Sequence, residues 1–231
     1  MEKIGFIGAF DKTDLIIQIA KILTEAGKRI IVIDATTNQK AKYIIPVINP
    51  TTTYVTEFEN MDVAVGFHEL PQINDYLMVD DISENYDMAL IDVDSSKTFN
   101  NFDISHAKIN YFVTSFDMYS LKRGIEIISG LKEPLTLKKV LFSRDINQED
   151  DDYLNFLASP YPIQWEEEKI YFPYELGDQS VIIENQRASK IKFKNLSHQY
   201  KEGLIYIATE ILGNQRESEI RKIFKNIEKG V

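Results

Sequence analysis

The sequence predicts an α/β fold in which a mostly parallel, twisted sheet is flanked by helices, giving three layers. Three observations predict it: apolar, β-branched runs suited to buried strands recur along the 231 residues, segments of helical periodicity separate them, and polar residues directly follow several of the runs. Because helices connect the runs, we expect neighbouring strands to be parallel and their crossovers right-handed.

The first forty residues predict a β-α-β unit. Residues 3–9 (KIGFIGA) form an apolar run, and residues 29–34 (RIIVID) form a β-branched run typical of a strand covered on both faces. Between them, apolar side chains recur at helical spacing over residues 15–26, and Gly27 supplies a stop signal. The unit places the segment GFIGAFDKTD, residues 5–14, at the turn between strand and helix.

The same alternation continues through the rest of the chain. Strands are predicted at residues 86–94, 109–117 and 137–145, and helices at residues 118–131, 149–160, 178–187 and 197–212. Residues 51–67 are less regular and fit either a hairpin at the edge of the sheet or an excursion from it. We therefore expect one domain over residues 1–212, followed by a linker and a short helix over residues 213–231.

Composition and charge restrict the classes of function. The formal net charge is −10, which disfavours nonspecific binding of nucleic acid unless a local basic patch exists. The chain has no cysteine, which excludes disulfides and thiolate metal sites. The N-terminal apolar run is too short for a signal peptide, and no later run approaches the ~18 apolar residues of a membrane span. We expect a soluble, cytoplasmic protein.

Polar side chains follow three predicted strands at the point where each strand ends. The first strand delivers Gly8–Thr13, the second delivers Asp34 and Thr36, and the third delivers Asp92 and Asp94. In open parallel sheets, ligands bind beyond the carboxyl ends of the strands. A lysine, hydroxyls and carboxylates are therefore expected to converge on one edge of the sheet.

The segment IGAFDKT, residues 7–13, partly matches a phosphate-binding loop of the form G-x-x-x-x-G-K-[ST]. Such a loop works because glycines let its backbone curl, its N–H groups and lysine contact the anion, and its hydroxyl binds Mg²⁺. Lys12 and Thr13 match the last two positions, whereas Phe6 and Asp11 occupy the two glycine positions. On its own, the segment is explained better by an ordinary turn between strand and helix.

The order of the motifs resembles the MinD/ParA family, the deviant P-loop ATPases that position division, flagellar, pilus and partition machinery. Their loop, K-G-G-x-G-K-[ST], aligns with IGAFDKT, their I-D-x-D strand aligns with VIDAT (residues 32–36), and the strand on the magnesium side aligns with YDMALIDVD (residues 86–94). The resemblance runs from Lys3 to about Leu212. It implies a P-loop NTPase-like fold, a homodimer formed through the nucleotide face, and ATP with Mg²⁺ as cofactors if the site still binds nucleotide.

The resemblance also assigns roles to residues. It places Gly8, Ala9, Phe10, Asp11, Lys12, Thr13, Asp34, Asp92 and Arg144 at the nucleotide, with Thr13 and Asp92 as ligands of Mg²⁺. Three departures fall on working positions: Ile7 replaces the signature lysine that reaches the partner's nucleotide, Thr36 replaces an aspartate that orients the attacking water, and Ser143 replaces the asparagine of the base contact. These departures predict weak or absent ATP hydrolysis.

Asp11 decides between a filled and an open phosphate site. A carboxylate about 4 Å from a phosphate oxygen is repelled by on the order of 1–4 kcal/mol. In one hypothesis, Asp11 caps the first helix, accepts the N–H of Thr13 or Asp14 and substitutes for phosphate. Lys12 then pairs with Asp11, Asp34 or Asp92. In the other, Asp11 turns outward, and Lys12 and Thr13 hold ATP without fast hydrolysis.

The sequence thus predicts a localisation or regulatory scaffold that has a protein partner in an envelope-associated machine of the pilus, secretion or division type. One alternative is a slow ATPase whose nucleotide gates dimerisation and membrane association. Another is a DNA partition protein, which the acidic charge disfavours.

The C-terminal segment IRKIFKNIEKGV, residues 220–231, predicts a short basic amphipathic helix. Ile220, Ile223, Phe224 and Ile227 share one face of it. It resembles the membrane-targeting tail of MinD proteins, which implies peripheral docking on the inner face of a membrane or on a partner. The alternative is packing against its own domain.

Overall fold

The computed structural model describes residues 1–46, 52–145 and 147–229. The strands are β1 (Glu2–Ile7), β2 (Ile30–Asp34), β3 (Tyr54–Phe58), β4 (Met61–Val65), β5 (Met88–Val93), β6 (Ile109–Ser115), β7 (Leu135–Ser143) and β8 (Ile163–Pro173). The helices are α1 (Thr13–Glu25), α2 (Ala41–Ile44), α3 (Leu70–Leu77), α4 (Ser96–Asn101), α5 (Met118–Ile128), α6 (Gln148–Ala158), α7 (Leu176–Ala188), α8 (His198–Leu212) and α9 (Glu217–Lys229).

The eight strands form one sheet in the order β3-β4-β2-β5-β1-β6-β7-β8. Every neighbouring pair is parallel except β3 with β4, which form an antiparallel hairpin at one edge. The predicted α/β fold with a mostly parallel sheet is confirmed. Of the two alternatives for residues 51–67, the described part forms the edge hairpin, while residue 51 itself lies outside the described residues.

The register of the central strands places their carboxyl ends at one level. Asp92 of β5 pairs with Phe6 of β1 on one side and with Asp34 of β2 on the other. β1 ends one residue after Phe6, so the loop that begins at Gly8 starts beside the carboxyl end of β5. Two apolar cores, one on each face of the sheet, hold these strands in place.

Helix α9 packs on its own domain, against α1 and α8. Ile220 and Phe224 are buried in the core, where the Phe224 ring lies 5.2 Å from that of Phe193. Ile223 and Ile227 are partly buried against the same core. Of the two alternatives for this segment, the structure shows packing against its own domain, which covers the apolar face that membrane or partner docking would need.

Shortening Phe224 to alanine is expected to lower the free energy of unfolding by about 3 kcal/mol, because it leaves a cavity in the core between α9 and the domain. Urea unfolding of the full chain measures this loss. Lys225→Ala, an exposed change one residue along the same helix, is the matched control and is expected to stay within about 0.5 kcal/mol of wild type. Equal stability of the two variants would show that α9 does not belong to the core.

No helix in the described ranges is both long enough and apolar enough to cross a membrane.

Candidate phosphate-binding site

A cavity of about 280 Å³ lies where β1, β2 and β5 end. It is lined by the loop Gly8–Thr13, by Thr36, Asn38, Lys40 and Tyr43 after β2, and by Asp92 and Asp94 at the end of β5. The polar groups predicted to converge on this edge of the sheet do lie together.

Gly8 turns the chain from β1 into the loop. Its φ is +149°, and a Cβ at this position would lie 2.1 Å from the carbonyl oxygen of Val113 in β6. Its N–H donates to the Val93 carbonyl at 3.2 Å, which extends the pairing with β5 by one residue. Only glycine allows the backbone to pass this close to β6, so the first step of the loop is fixed by sterics.

The loop presents unused backbone donors. Within the described parts of the chain, no acceptor contacts the N–H groups of Ala9, Phe10, Asp11 and Lys12. Consecutive free N–H groups before a helix create a positive potential that suits an anion. The backbone therefore offers the donor set of a phosphate loop, although Asp11 stands where that motif has a glycine.

Lys12 is buried and paired with Asp92. Its Nζ lies 2.8 Å from the Gly8 carbonyl oxygen and 2.6 Å from Asp92 Oδ1, and both side chains are almost fully buried, at 1% and 2% exposed. Of the three carboxylates considered for Lys12, the structure selects Asp92.

Asp92 and Thr13 form the candidate Mg²⁺ site. Thr13 Oγ1 lies 3.5 Å from Asp92 Oδ2, and both residues are buried. Mg²⁺ typically takes one or two protein oxygens and completes its shell with phosphate and water. The Asp92 carboxylate and the neighbouring Thr13 hydroxyl are oxygen donors that fit that set, although the described residues contain no cluster of three or more His, Cys, Asp or Glu side chains that would hold a metal alone.

Burial raises the pKa of Asp92 to about 7 despite the Lys12 ammonium, and the Asp34 carboxylate raises it further. The unfolded chain releases this proton near pH 4, so the folded state binds more protons between about pH 4 and 7. The contribution of Asp92 to the free energy of unfolding is fully present below pH 4 and is lost as the pH rises through 7. The free energy of unfolding falls by at most ~1.4 kcal/mol per pH unit from this group. Urea unfolding from pH 4.5 to 8 should show a slope for wild type that is more negative than that of Asp92→Asn, whereas identical slopes would contradict the assignment.

Asp34 organises the loop after β2 and is not free for a ligand. Its Oδ1 accepts the Thr36 hydroxyl at 2.5 Å and the Thr36 N–H at 3.1 Å, and its Oδ2 accepts the Ala41 N–H at 2.9 Å. Burial raises the pKa of Asp34, while these donors oppose the rise. The structure thus ties Asp34 to the start of α2, behind the cavity that Thr36 lines.

Asp11 lines the cavity and lies between the Thr13 N–H and Lys40. Its side chain is 52% exposed, and its Oδ2 lies 2.5 Å from Lys40 Nζ. Its Oδ1 accepts the Thr13 N–H at 3.3 Å, as expected, but the residue that caps α1 is Lys12, not Asp11. Each hypothesis for Asp11 has one feature in the structure: the carboxylate accepts the Thr13 N–H, as the first expects, and its side chain is half exposed, as the second expects.

A second cavity, of about 340 Å³, adjoins the first and shares Phe10, Asp11 and Lys40 with it. Its lining includes the apolar and aromatic side chains of Phe142, Tyr174, Ile182 and Tyr200, together with polar ones such as Asp14 and Gln186. Phe10 links the two cavities, since its ring lies 4.7 Å from that of Phe142 and 6.0 Å from that of Tyr174.

Arg144, predicted at the nucleotide base, is exposed and lines neither cavity. Sequence reasoning missed Lys40 as well as Phe142 and Tyr174. Phe142 and Tyr174 could have been noticed as aromatic residues at the ends of two strands, one of which was itself not predicted. Lys40 carried no signal in the sequence, because its position depends on how α2 sits beside the loop.

No protein-family model matches the sequence, and no match is found among curated proteins. Solved structures do match. A ParA family ATPase from Chlorobium tepidum TLS has a TM-score of 0.60 at 12% identity, over 91% of this chain and 98% of that one. A chain of the MinC:MinD cell division protein complex of Aquifex aeolicus has a TM-score of 0.58 at 15% identity, over 92% and 96%. An ATP complex of a Cyanothece McdA variant has a TM-score of 0.50 at 12% identity, over 99% and 95%. At these identities the likeness shows the fold, and it confirms the predicted P-loop NTPase-like fold of ParA/MinD type.

Proposed function

We propose, from a fold shared with ParA- and MinD-type ATPases, that this chain is a regulatory protein that binds ATP with Mg²⁺ and hydrolyses it slowly. The observation that carries the proposal is that the N–H groups of Ala9, Phe10 and Lys12, beside the cavity, have no acceptor among the described residues. Asp11 is half exposed and paired with Lys40, so its carboxylate can be hydrated when an anion binds there. Asp11, which in one hypothesis fills the phosphate site, is therefore compatible with nucleotide binding.

The two adjoining cavities suit the two parts of a nucleotide. The polar cavity offers backbone N–H groups and Lys12 to the phosphates, and the aromatic wall of the second cavity offers Phe142 and Tyr174 to the base. Thr13 and Asp92 would hold Mg²⁺, which would neutralise phosphate charge when bound. Together the cavities provide about 620 Å³, within the range of ordinary ligand sites.

Slow hydrolysis follows from two side chains. Ile7 lies fully buried in the core at the position where the resemblance implies a signature lysine, so no cation can reach a partner's nucleotide from there. Thr36 donates its hydroxyl to Asp34 and offers no carboxylate to orient water. A bound triphosphate would therefore serve mainly to distinguish a nucleotide-bound from a nucleotide-free form of the protein, as expected of a positioning factor.

A second copy of the chain is the proposed partner at this edge. Tyr43 on α2, Tyr119 at the start of α5 and Leu176 at the start of α7 follow the carboxyl ends of three strands, and each is more than two-thirds exposed. Large exposed apolar side chains that follow the carboxyl ends of the strands favour a protein interface on this side of the sheet. The further partner would belong to an envelope-associated machine, the role that the resemblance implies.

Isothermal titration of the full chain with ATP, with and without Mg²⁺, tests the proposal. We expect one site that depends on Mg²⁺, with a dissociation constant of about 10 µM to 1 mM. Phosphate release is expected to stay well below the ~1 s⁻¹ at the lower end of typical enzymes. The absence of any binding at millimolar ATP would overturn the proposal, and fast hydrolysis that Lys12→Ala abolishes would replace it with an active ATPase.

A further inference from the structure

Lys40 lies between the two cavities and lines both. It is the residue before α2, and its Nζ contacts Asp11 Oδ2 at 2.5 Å and Asp14 Oδ2 at 2.8 Å. Asp14 is also held from the other side, where Gln186 Nε2 of α7 donates to its two oxygens at 3.0 and 2.9 Å. The Lys40 ammonium therefore contacts the exposed carboxylate of Asp11 and the carboxylate of Asp14, which Gln186 holds in place.

The charges around the phosphate cavity show why this ammonium matters. The lining contains two lysines, Lys12 and Lys40, and three carboxylates, those of Asp11, Asp92 and Asp94. Lys12 is already bonded to the Gly8 carbonyl and to Asp92 and has 1% of its side chain exposed. Lys40 has 33% of its side chain exposed and can meet a ligand without breaking a buried pair.

We propose that Lys40 is a second polyphosphate-binding cation of this site, supplied by the same chain. In the ligand-bound protein, a phosphate oxygen takes the place of Asp11 Oδ2 on Lys40 Nζ, and Asp14 keeps the ammonium in position. This inference rests on the proposed binding of a triphosphate and adds a residue to it. The ligand class is a polyphosphate anion at the mouth of the loop.

The exchange of partners is feasible on the contacts present. Asp11 is half exposed, so its carboxylate can be hydrated when it leaves Lys40, whereas Asp14 is 17% exposed and fixed by Gln186. Although burial opposes the charge of Lys40, the carboxylates of Asp14 and Asp11 hold its pKa above the usual value. The side chain thus remains a cation at neutral pH while it changes partner.

A structural role gives a different expectation. An ion pair this exposed contributes about 0–1 kcal/mol to stability and need not contact a ligand at all. In that case Lys40 serves only to hold Asp11 away from the loop, and its removal weakens binding only while Asp11 is present. The two roles are therefore separated by removing Asp11 first.

The test compares Lys40→Ala with Lys42→Ala in the full chain, in the wild-type and Asp11→Gly backgrounds. Lys42, two residues further on in α2, is exposed and lines neither cavity, so its loss is a control that changes the net charge equally. Isothermal titration uses ATP–Mg²⁺, inorganic tripolyphosphate and adenosine, and thermal unfolding confirms that each variant is folded. We expect Lys40→Ala to lower the affinity for ATP and for tripolyphosphate at least tenfold in both backgrounds and to leave the affinity for adenosine unchanged. Lys40→Arg, which keeps the positive charge, should retain most of the affinity.

Two results would overturn the inference alone. ATP binding by Lys40→Ala equal to that of Lys42→Ala would show that the ammonium does not contact phosphate. A loss that disappears in the Asp11→Gly background would show that Lys40 acts only on Asp11. If neither wild type nor Asp11→Gly binds ATP or tripolyphosphate, the proposed function fails and the inference fails with it.

Discussion

Asp11→Gly is expected to tighten the binding of ATP–Mg²⁺ by about ten- to a hundredfold. The wild-type carboxylate lies on the phosphate loop and repels a nearby phosphate oxygen by on the order of 1–4 kcal/mol, where 1.4 kcal/mol corresponds to tenfold. Lys40 already neutralises part of this charge, so the gain falls short of the upper limit. Titration calorimetry of the two proteins at the same ionic strength measures the difference.

Two further variants separate charge from backbone freedom. Asp11→Asn removes the charge but keeps an oxygen that can accept the Thr13 N–H, so it should recover most of the gain if repulsion is the obstacle. Asp75→Asn changes an exposed carboxylate on α3, away from the loop, and should leave the affinity unchanged. Tightening in Asp11→Gly alone would instead assign the effect to glycine's conformational freedom, and no tightening in any variant would remove Asp11 as the obstacle.

Lys12→Ala is expected to abolish measurable binding of ATP, a loss of more than about a hundredfold, and to destabilise the fold by about 3 kcal/mol. Both effects have one cause, since the lysine that faces the phosphates also pairs with the buried Asp92. Removal of one partner of a buried pair leaves the other charge uncompensated, which typically costs 3–5 kcal/mol. Protonation of Asp92, whose pKa burial raises to about 7, reduces that cost below neutral pH.

The double variant Lys12→Ala with Asp92→Asn separates the two effects. It removes both charges, so urea unfolding should show most of the lost stability restored. Calorimetry should show no return of ATP binding, because the cation for the phosphates is still missing. Restored binding in the double variant would mean that Lys12 is only a structural partner of Asp92.

The buried strands were predictable because their composition leaves few alternatives. The β-branched run of β2 and the apolar run of β1 suit a sheet covered on both faces, and both strands lie near their predicted positions. Strand β8 was not predicted, because its centre carries Glu166–Glu168 and resembles a solvated segment. Those charges are typical of an edge strand, and Glu166 and Glu168 both contact Lys138 of the neighbouring strand. The short helices α2 and α4 were missed because four and six residues are too few for a periodic signal.

The sequence predicted which residues meet at the candidate site, but not the contacts that Asp11 makes there. Spacing alone brought Gly8, Lys12 and Asp92 to one edge of the sheet, because parallel strands end together. The direction of Asp11 depends on Lys40, which lies 29 residues further along the chain and reaches the loop only through the packing of α2. Sequence reasoning could identify the carboxylate as decisive, but tertiary structure determines which cation it meets.

The amide chemical shifts of the loop test most directly whether the loop binds phosphate. In ¹⁵N-labelled full chain titrated with ATP–Mg²⁺, we predict that the amide signals of Ala9, Phe10 and Lys12 shift together and saturate with the midpoint found by calorimetry. Amides of α9, none of whose residues lines either cavity, should not move. Loop amides that stay unchanged while ATP binds, or that fail to respond at millimolar ATP, would contradict the claim that the loop is an open phosphate site.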